Sequence, residues 1–230
     1  MKRETLLALN AARRAGRAVV RATDLATGEE QLIDPATDTS PLGEAAAGAA
    51  RADTSGPAQI EGRGWFLSVF NPPLDLVIIG AVHIAQPLVA MAREAGYGVR
   101  IIDPRTAFAT AARFPHAMIS HDWPDEALAN APLGPRSAIV FLSHDPKIDD
   151  PGLIAALKSD CFYIGTLGSK KTQAARAARM RTAGFRDADL ARIHGPVGLD
   201  IGARSPAEIA VSILAEMTLV LRGNKREAKG

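Results

Sequence analysis

Five short loops in this sequence gather the glycines and polar side chains that chemistry would need. The first is Gly80, Ala81, Val82, His83, Ile84, Ala85, standing where a dinucleotide fingerprint would read G-x-G-x-x-G. The second fingerprint glycine lets a pyrophosphate approach the backbone without meeting a side chain, and Val82 occupies that place. An ordinary dinucleotide pose would clash there, while N–H groups at the following helix start would still serve an anion. The simpler alternative is a tight turn that needs only Gly80. His83 either points into a crevice or caps the sheet edge.

Asp103 closes the next strand, 23 positions after Gly80, where a Rossmann domain offers an acid to a ribose hydroxyl. Arg105 would hold a phosphate instead; with no ligand the pair is an Asp-Pro turn beside a solvated arginine. Ser143, His144 and Asp145 follow the apolar run "AIVFL" and place an imidazole and a carboxylate at a strand end. Adjacency alone makes no triad, which needs convergent geometry. One reading makes His144 and Asp149 a hydrogen-bonded pair; the simpler alternative is a helix N-terminal loop. "YIGTLGSKKT" offers Gly165, Gly168, Ser169 and Lys170 or Lys171 at a helix start, an anion-site pattern without Walker A spacing. Lys171, Arg176 and Arg179 otherwise form a solvated face. The fifth loop, "HGPVGLDIGARS", carries Asp200 and Gly202, and would face the fourth if their strands are neighbours.

Strands and helices in alternation would position these loops. Apolar content predicts strands at 75–79, 99–102, 138–142 and 161–164. A helix carrying Ile84, Leu88, Met91 and Ala95 on one face ends at Gly96. Asp150 and Pro151 signal a helix start running to Leu157, and 169–184 is a basic helix stopped at Gly184. Ser205, Pro206 and Glu208 supply a capping box to a last helix with the stripe Ile209, Ile213, Met217, Val220. The fold class expected is α/β: a Rossmann-like, mainly parallel sheet with helices on both faces. A small N-terminal α+β region precedes it. That region, 1–70, starts with a helix through Leu6, Leu7 and Leu9 stopped by Gly16, then strands at 17–23 and up to Ile33. Residues 34–64 read as loop with one helix near 42–51, and 65–70 as strand. Residues 71–73 are the junction, 74–223 the main domain and 224–230 a tail.

Composition narrows the function classes. The 230 residues are 47% hydrophobic and 23% charged, with a net charge of +2, so no basic excess draws nucleic acid or an acidic membrane surface. No run approaches the ~18 apolar residues of a membrane span, and the first residues lack a secretion-signal core, so a cytoplasmic protein is expected. Cys161 is the single cysteine, which excludes an internal disulfide and a multi-cysteine zinc site. It opens an apolar strand and reads as a buried structural thiol. No metal-ligand set stands out, and no catalytic residue is assigned.

Taken in order, "GAVHIAQ", "IDPR", "SHDPK", "YIGTLGSKKT" and "GPVGLDIGARSPAEIAVSILAE" strongly resemble the XdhC/CoxI family over residues 74 to 223. The resemblance implies an accessory protein for molybdenum hydroxylases such as xanthine dehydrogenase and carbon monoxide dehydrogenase. Family members are taken to bind molybdenum cofactor, an anionic molybdopterin. They assist its sulfuration by a cysteine desulfurase and deliver it to the apoenzyme. The resemblance marks Gly80, His83, Asp103, Ser143, His144, Gly165, Gly168, Ser169, Lys170, Asp200 and Gly202 as crevice residues. Many members carry an N-terminal Ser-Gly-Gly-Cys-type motif, which this sequence lacks. That implies a shortened form working beside a full-length homologue, or a shifted role; pairing between two chains would complement the small N-terminal region. The expectation is therefore a cofactor-binding chaperone rather than a catalyst. An NAD(P)-dependent oxidoreductase is the alternative, and a ligand-free interaction scaffold the third class.

Overall fold

The computed structural model describes residues 3–223; the tail assigned to 224–230 lies outside the described residues. The chain divides into two compact units, one ending at Pro72 and the other starting at Pro73.

The first unit comprises α1 (Arg3–Arg14), β1 (Val19–Asp24), β2 (Glu30–Ile33), α2 (Pro41–Ala52), β3 (Gly56–Ile60) and β4 (Arg63–Phe70). Its strands form an antiparallel sheet in the order β2-β1-β4-β3. Val20, Ala22, Trp65 and Leu67 on one face of the sheet pack with Ala46 and Ala50 of α2. α2 begins where Ser40 accepts the Gly43 N–H, with Pro41 in the first turn. The sequence reading missed β3. Its five residues, GPAQI, alternate only between half-buried and exposed and carry little apolar signal. The pairing is specified by the turn: Ile60 faces Arg63 across Glu61 and Gly62, whose φ values of 50° and 76° suit a two-residue hairpin.

The second unit comprises β5 (Leu74–Ile79), α3 (Ala85–Glu94), β6 (Tyr97–Ile102), β7 (Met118–Ser120), α4 (Pro124–Asn130), β8 (Ser137–Phe141) and α5 (Pro146–Lys158). It continues with β9 (Tyr163–Thr166), α6 (Lys170–Thr182), α7 (Asp187–Leu190), β10 (Ile193–His194) and α8 (Pro206–Arg222). The strands make one six-stranded sheet, β10-β9-β8-β5-β6-β7, parallel throughout. The two-residue alternation of each strand feeds two cores. Leu76, Ile78, Ile101 and Val140 pack with α3 and α8 on one face. Val77, Ile79, Ile139 and Phe141 pack with α4, α5 and α6 on the other. Helices thus cover both faces, the expected Rossmann-like arrangement. From β5 the chain moves outward through β6 and β7, then returns to β8 and moves the other way. The reversal point, where ligands of such sheets sit, lies between β5 and β8.

Three local readings are corrected. α5 starts at Pro146, not Pro151: Asp145 accepts the Lys147 N–H as N-cap, and Pro151 lies inside the helix. Both Asp-Pro pairs satisfy the start rule, and the earlier one prevails because it turns Ile148 and Leu153 inward. On α8 the capping box forms as expected, with Ser205 accepting the Glu208 N–H and Glu208 accepting the Ser205 N–H. Its stripe is Ala210, Ile213 and Met217, and Val220 is exposed. The strand expected at 161–164 is shifted to Tyr163–Thr166, and β7 and α4 had no sequence assignment.

Gly80 ends β5 with φ +102°, and a Cβ there would stand 2.8 Å from the Ser143 backbone nitrogen and 3.0 Å from its Cα. Backbone strain and a backbone clash act together, so Gly80→Ala should destabilise the protein by about 2 kcal/mol or more in urea unfolding. An unchanged midpoint would show that the turn yields freely.

Candidate functional site

The turns after β5 and β8 meet at the reversal point, where the missing Cβ of Gly80 lets Ser143 approach. Gly80 donates its N–H to Ile102 O at 3.0 Å, and Ala81 donates to Asp103 Oδ2 at 2.8 Å. Arg105 supplies Asp103 with three further bonds: its N and Nε to Oδ1 at 3.0 and 2.9 Å, and Nη2 to Oδ2 at 2.8 Å. Burial alone would raise the Asp103 carboxyl, but these bonds outweigh it and hold the group below its ordinary value. The carboxylate is fully buried with both oxygens committed inside the protein, which removes the ribose contact considered for it. Asp103 instead staples the end of β6 to the Gly80 turn. Arg105 is correspondingly held by Asp103 rather than standing as a solvated arginine.

Val82 is half-buried and packs against the core on the α3 face. Its backbone, with those of His83 and Ile84, forms the open part of the turn: these three amides have no hydrogen-bond partner among the described residues. His83 is exposed beside them.

A buried network links the β8 turn to the β9 turn. Asp149 of α5 and Arg176 of α6 are 1% and 3% exposed and form an ion pair, Nη2 to Oδ2 at 3.3 Å. Ser143 Oγ donates to Asp149 Oδ1 at 2.5 Å, so serine, not His144, is the partner of this carboxylate. Arg176 also donates to Leu167 O at 3.3 Å and to Gln173 Oε1 at 2.6 Å. Gln173 in turn donates to Thr166 O and Gly168 O at 2.9 and 3.3 Å. Burial pushes the Asp149 carboxyl up and the Arg176 guanidinium down from their ordinary values. Arg176 therefore belongs to no solvated face, contrary to the sequence expectation. Its basic neighbours along α6 concealed it, because sequence shows charge and not the direction of a side chain. His144 and Asp145 remain at the exposed rim, His144 with φ +63°.

After β9, the site glycines divide by role. A Cβ at Gly165 would meet Val197 Cγ2 at 2.6 Å and Tyr163 Cε1 at 2.7 Å, so that glycine makes room for packing. Gly168, φ +133°, makes the turn, and Ser169 caps α6 by accepting the Thr172 N–H at 3.3 Å. Lys170 and Lys171 follow, exposed, in a first turn without an acidic residue. β10 lies beside β9, as the facing of the fourth and fifth loops requires. Val197 donates to Thr166 O at 3.1 Å, and Gly198 donates to Glu216 Oε2 at 2.8 Å. Tyr163 Oη donates to the same carboxylate at 2.5 Å, and His194 Nδ1 lies 3.4 Å from its other oxygen. Burial and Glu216 both raise the tyrosine hydroxyl. The structure thus joins Gly80, Ser143, Gly168 and Ser169 through direct contacts and one polar network. Asp200 and Gly202 are exposed farther along the fifth loop and stand outside that network.

Sequence reasoning overlooked Gln173 and Glu216. Glu216 alone had a visible signal, a carboxylate inside the apolar stripe of α8. The arrangement offers open amides, a hydroxyl and two ammonium groups to an anion. Among the described residues no three His, Cys, Asp or Glu side chains gather to hold a metal ion. Cys161 is buried, and burial raises its thiol. No described helix is long and apolar enough to cross a membrane.

A family model described as the XdhC Rossmann domain matches residues 76–217. A probable xanthine dehydrogenase subunit from Bacillus subtilis is 31% identical over 164 residues, 71% of this chain and 47% of that protein. The molybdenum cofactor insertion chaperone PaoD of Escherichia coli is 30% identical over 161 residues, 68% of this chain and 44% of that protein. The chain therefore spans less than half the length of these curated relatives. A solved structure described as a xanthine dehydrogenase, from Bacillus halodurans, superposes with a TM-score of 0.70 at 27% identity, covering 99% of this chain and 66% of that one.

Two outcomes follow from the polar groups. Arg176→Met leaves Asp149 buried without its counter-charge and should cost about 3–5 kcal/mol in urea unfolding, while Asp149→Leu with Arg176→Met recovers most of it. Equal losses in the single and double variants would contradict the pairing. Asp103, held below its ordinary 3.8, contributes stability that is whole above that value and fades as pH falls through its folded value. In Asp103→Asn the acid limb of a denaturation series should therefore be shallower than in the parent; parallel limbs would contradict the staple.

Proposed function

The chain belongs to the XdhC family, and on that premise we propose that it is a maturation factor for molybdenum hydroxylases, acting in the cytoplasm. It binds molybdenum cofactor, an anionic pterin, and hands it to an apoenzyme of the xanthine dehydrogenase or carbon monoxide dehydrogenase type. The observation that carries this reading is the contiguity of the turns after β5, β8 and β9, which brings open amides, Ser169 and two lysines to one rim of the sheet. The names of the Escherichia coli and Bacillus subtilis relatives support the cargo and the kind of recipient.

The chain's own residues bind and orient. Amides of Val82, His83 and Ile84 meet one anionic group, and Ser169 with Lys170 and Lys171 meets another. Ser143 and Asp149 keep the two turns in register. Cys161 is buried and cannot hand on sulfur, so sulfuration would draw on a cysteine desulfurase. The NAD(P)-dependent alternative is weakened because Asp103 has no oxygen free for a ribose.

Gel filtration under anaerobic conditions with released molybdenum cofactor tests the proposal. The protein should retain the cofactor at micromolar concentration, and Lys170→Glu with Lys171→Glu should lower retention about tenfold without lowering the melting temperature, because acids suit that helix end. No retention by the parent protein, or a melting shift with NAD or NADP in its place, would overturn it.

A further inference from the structure

The segment between β6 and β7 carries side chains that the proposed function leaves unused. Phe108 is 45% exposed although the Arg105 guanidinium lies over its ring, 4.7 Å from the centroid. Arg105 is fixed there by its two side-chain bonds to the buried Asp103. Arg113 secures the other side. Its Nη1 donates to Ala81 O at 2.9 Å and to Phe108 O at 2.5 Å, and its Nη2 reaches Gln86 Oε1 at 3.5 Å. One guanidinium nitrogen therefore bridges the Phe108 backbone and the Gly80 turn, which places Phe108 beside the carboxyl end of β5.

A single exposed apolar side chain needs no explanation. Phe108 differs because two arginines hold its backbone and one ring face at the rim where β5 ends. The open amides of Val82, His83 and Ile84 belong to the same turn.

We propose that Phe108, backed by Arg105, is a stacking platform for a flat nitrogen heterocycle, a pterin or a purine, carried by an anionic ligand of this rim. The inference rests on the reading of the rim as a ligand site. The cation behind the phenyl ring and the heterocycle in front of it form a layered contact in which only flat ligands gain. The anionic end of the same ligand lies toward the open amides. Arg105 thereby acts as a positioning residue, and Phe108 as the contact.

Fluorescence titration with pterin-6-carboxylate, and competition by adenosine monophosphate, test this on the full chain. Phe108→Ala should weaken pterin binding about tenfold, as expected for loss of one aromatic stack, and Phe108→Tyr should keep it. Phe108→Ala gives up the contact with Arg105 and lowers the melting temperature by about 2–4 °C at most, and Phe108→Tyr leaves it unchanged. Equal pterin affinity in the parent and Phe108→Ala overturns the platform, as does failure of both probes to bind the parent. If Phe108→Ala still retains released molybdenum cofactor as the parent does, the platform falls and the maturation reading stands. If adenosine monophosphate binds in a Phe108-dependent manner while the pterin does not, the platform stands with a nucleotide as its occupant and the maturation reading falls.

Discussion

The Asp149–Arg176 ion pair is the constraint on which the rim depends. Two charges removed from water are tolerated only when each is paired and hydrogen-bonded, and both conditions hold here. Ser143, Leu167 and Gln173 supply the further bonds, and Arg176 Nε stays buried without a partner among the described residues. Those three belong to different segments, so one pair fixes the turn after β8, the turn after β9 and the start of α6 relative to one another. A hydrophobic replacement would fill the space, but it would not specify which carbonyl and which hydroxyl meet. The polar pair sets an arrangement that apolar packing leaves open.

Asp103 performs the matching task on the other side of the reversal point. The bond from Ala81 joins the ends of β5 and β6, and with the three from Arg105 it consumes an acid that a dinucleotide-binding domain would present to its ligand. Val82 points the same way for a different reason. The valine is drawn into the core on the α3 face, and its backbone amide stays open. The loop keeps a Rossmann shape while its glycine pattern and its acid have moved to structural work.

The large elements were legible because their signals are local. Alternating strands, Gly96 and Gly184 after helices, and the Ser205 capping box all declare themselves within a few residues. β3 escaped because its pairing is written in the Glu61-Gly62 turn rather than in an apolar pattern. The start of α5 was misplaced because two Asp-Pro pairs compete, and burial decides between them. Around the rim, Gly80, Gly168 and Ser169 stand out by type and spacing, and the structure gives them turn and cap geometry. The partners of Asp103 and Asp149 do not stand out, because a carboxylate looks the same in sequence whether it faces water or an arginine. Arg176 is the sharpest instance, one basic residue among several on α6, distinguished solely by what surrounds it.

Lys170 and Lys171 stand at the positive pole of α6, a place where helices ordinarily collect acids. That pole is self-repelling when empty, and an anion docking there would relieve the repulsion. Salt would screen the same repulsion, so ionic strength acts on the empty state in the sense that cargo does. Under the proposed function, release into a recipient would need a competing set of cations more than any mechanical opening, which would make the hand-over an exchange between two electrostatic fields.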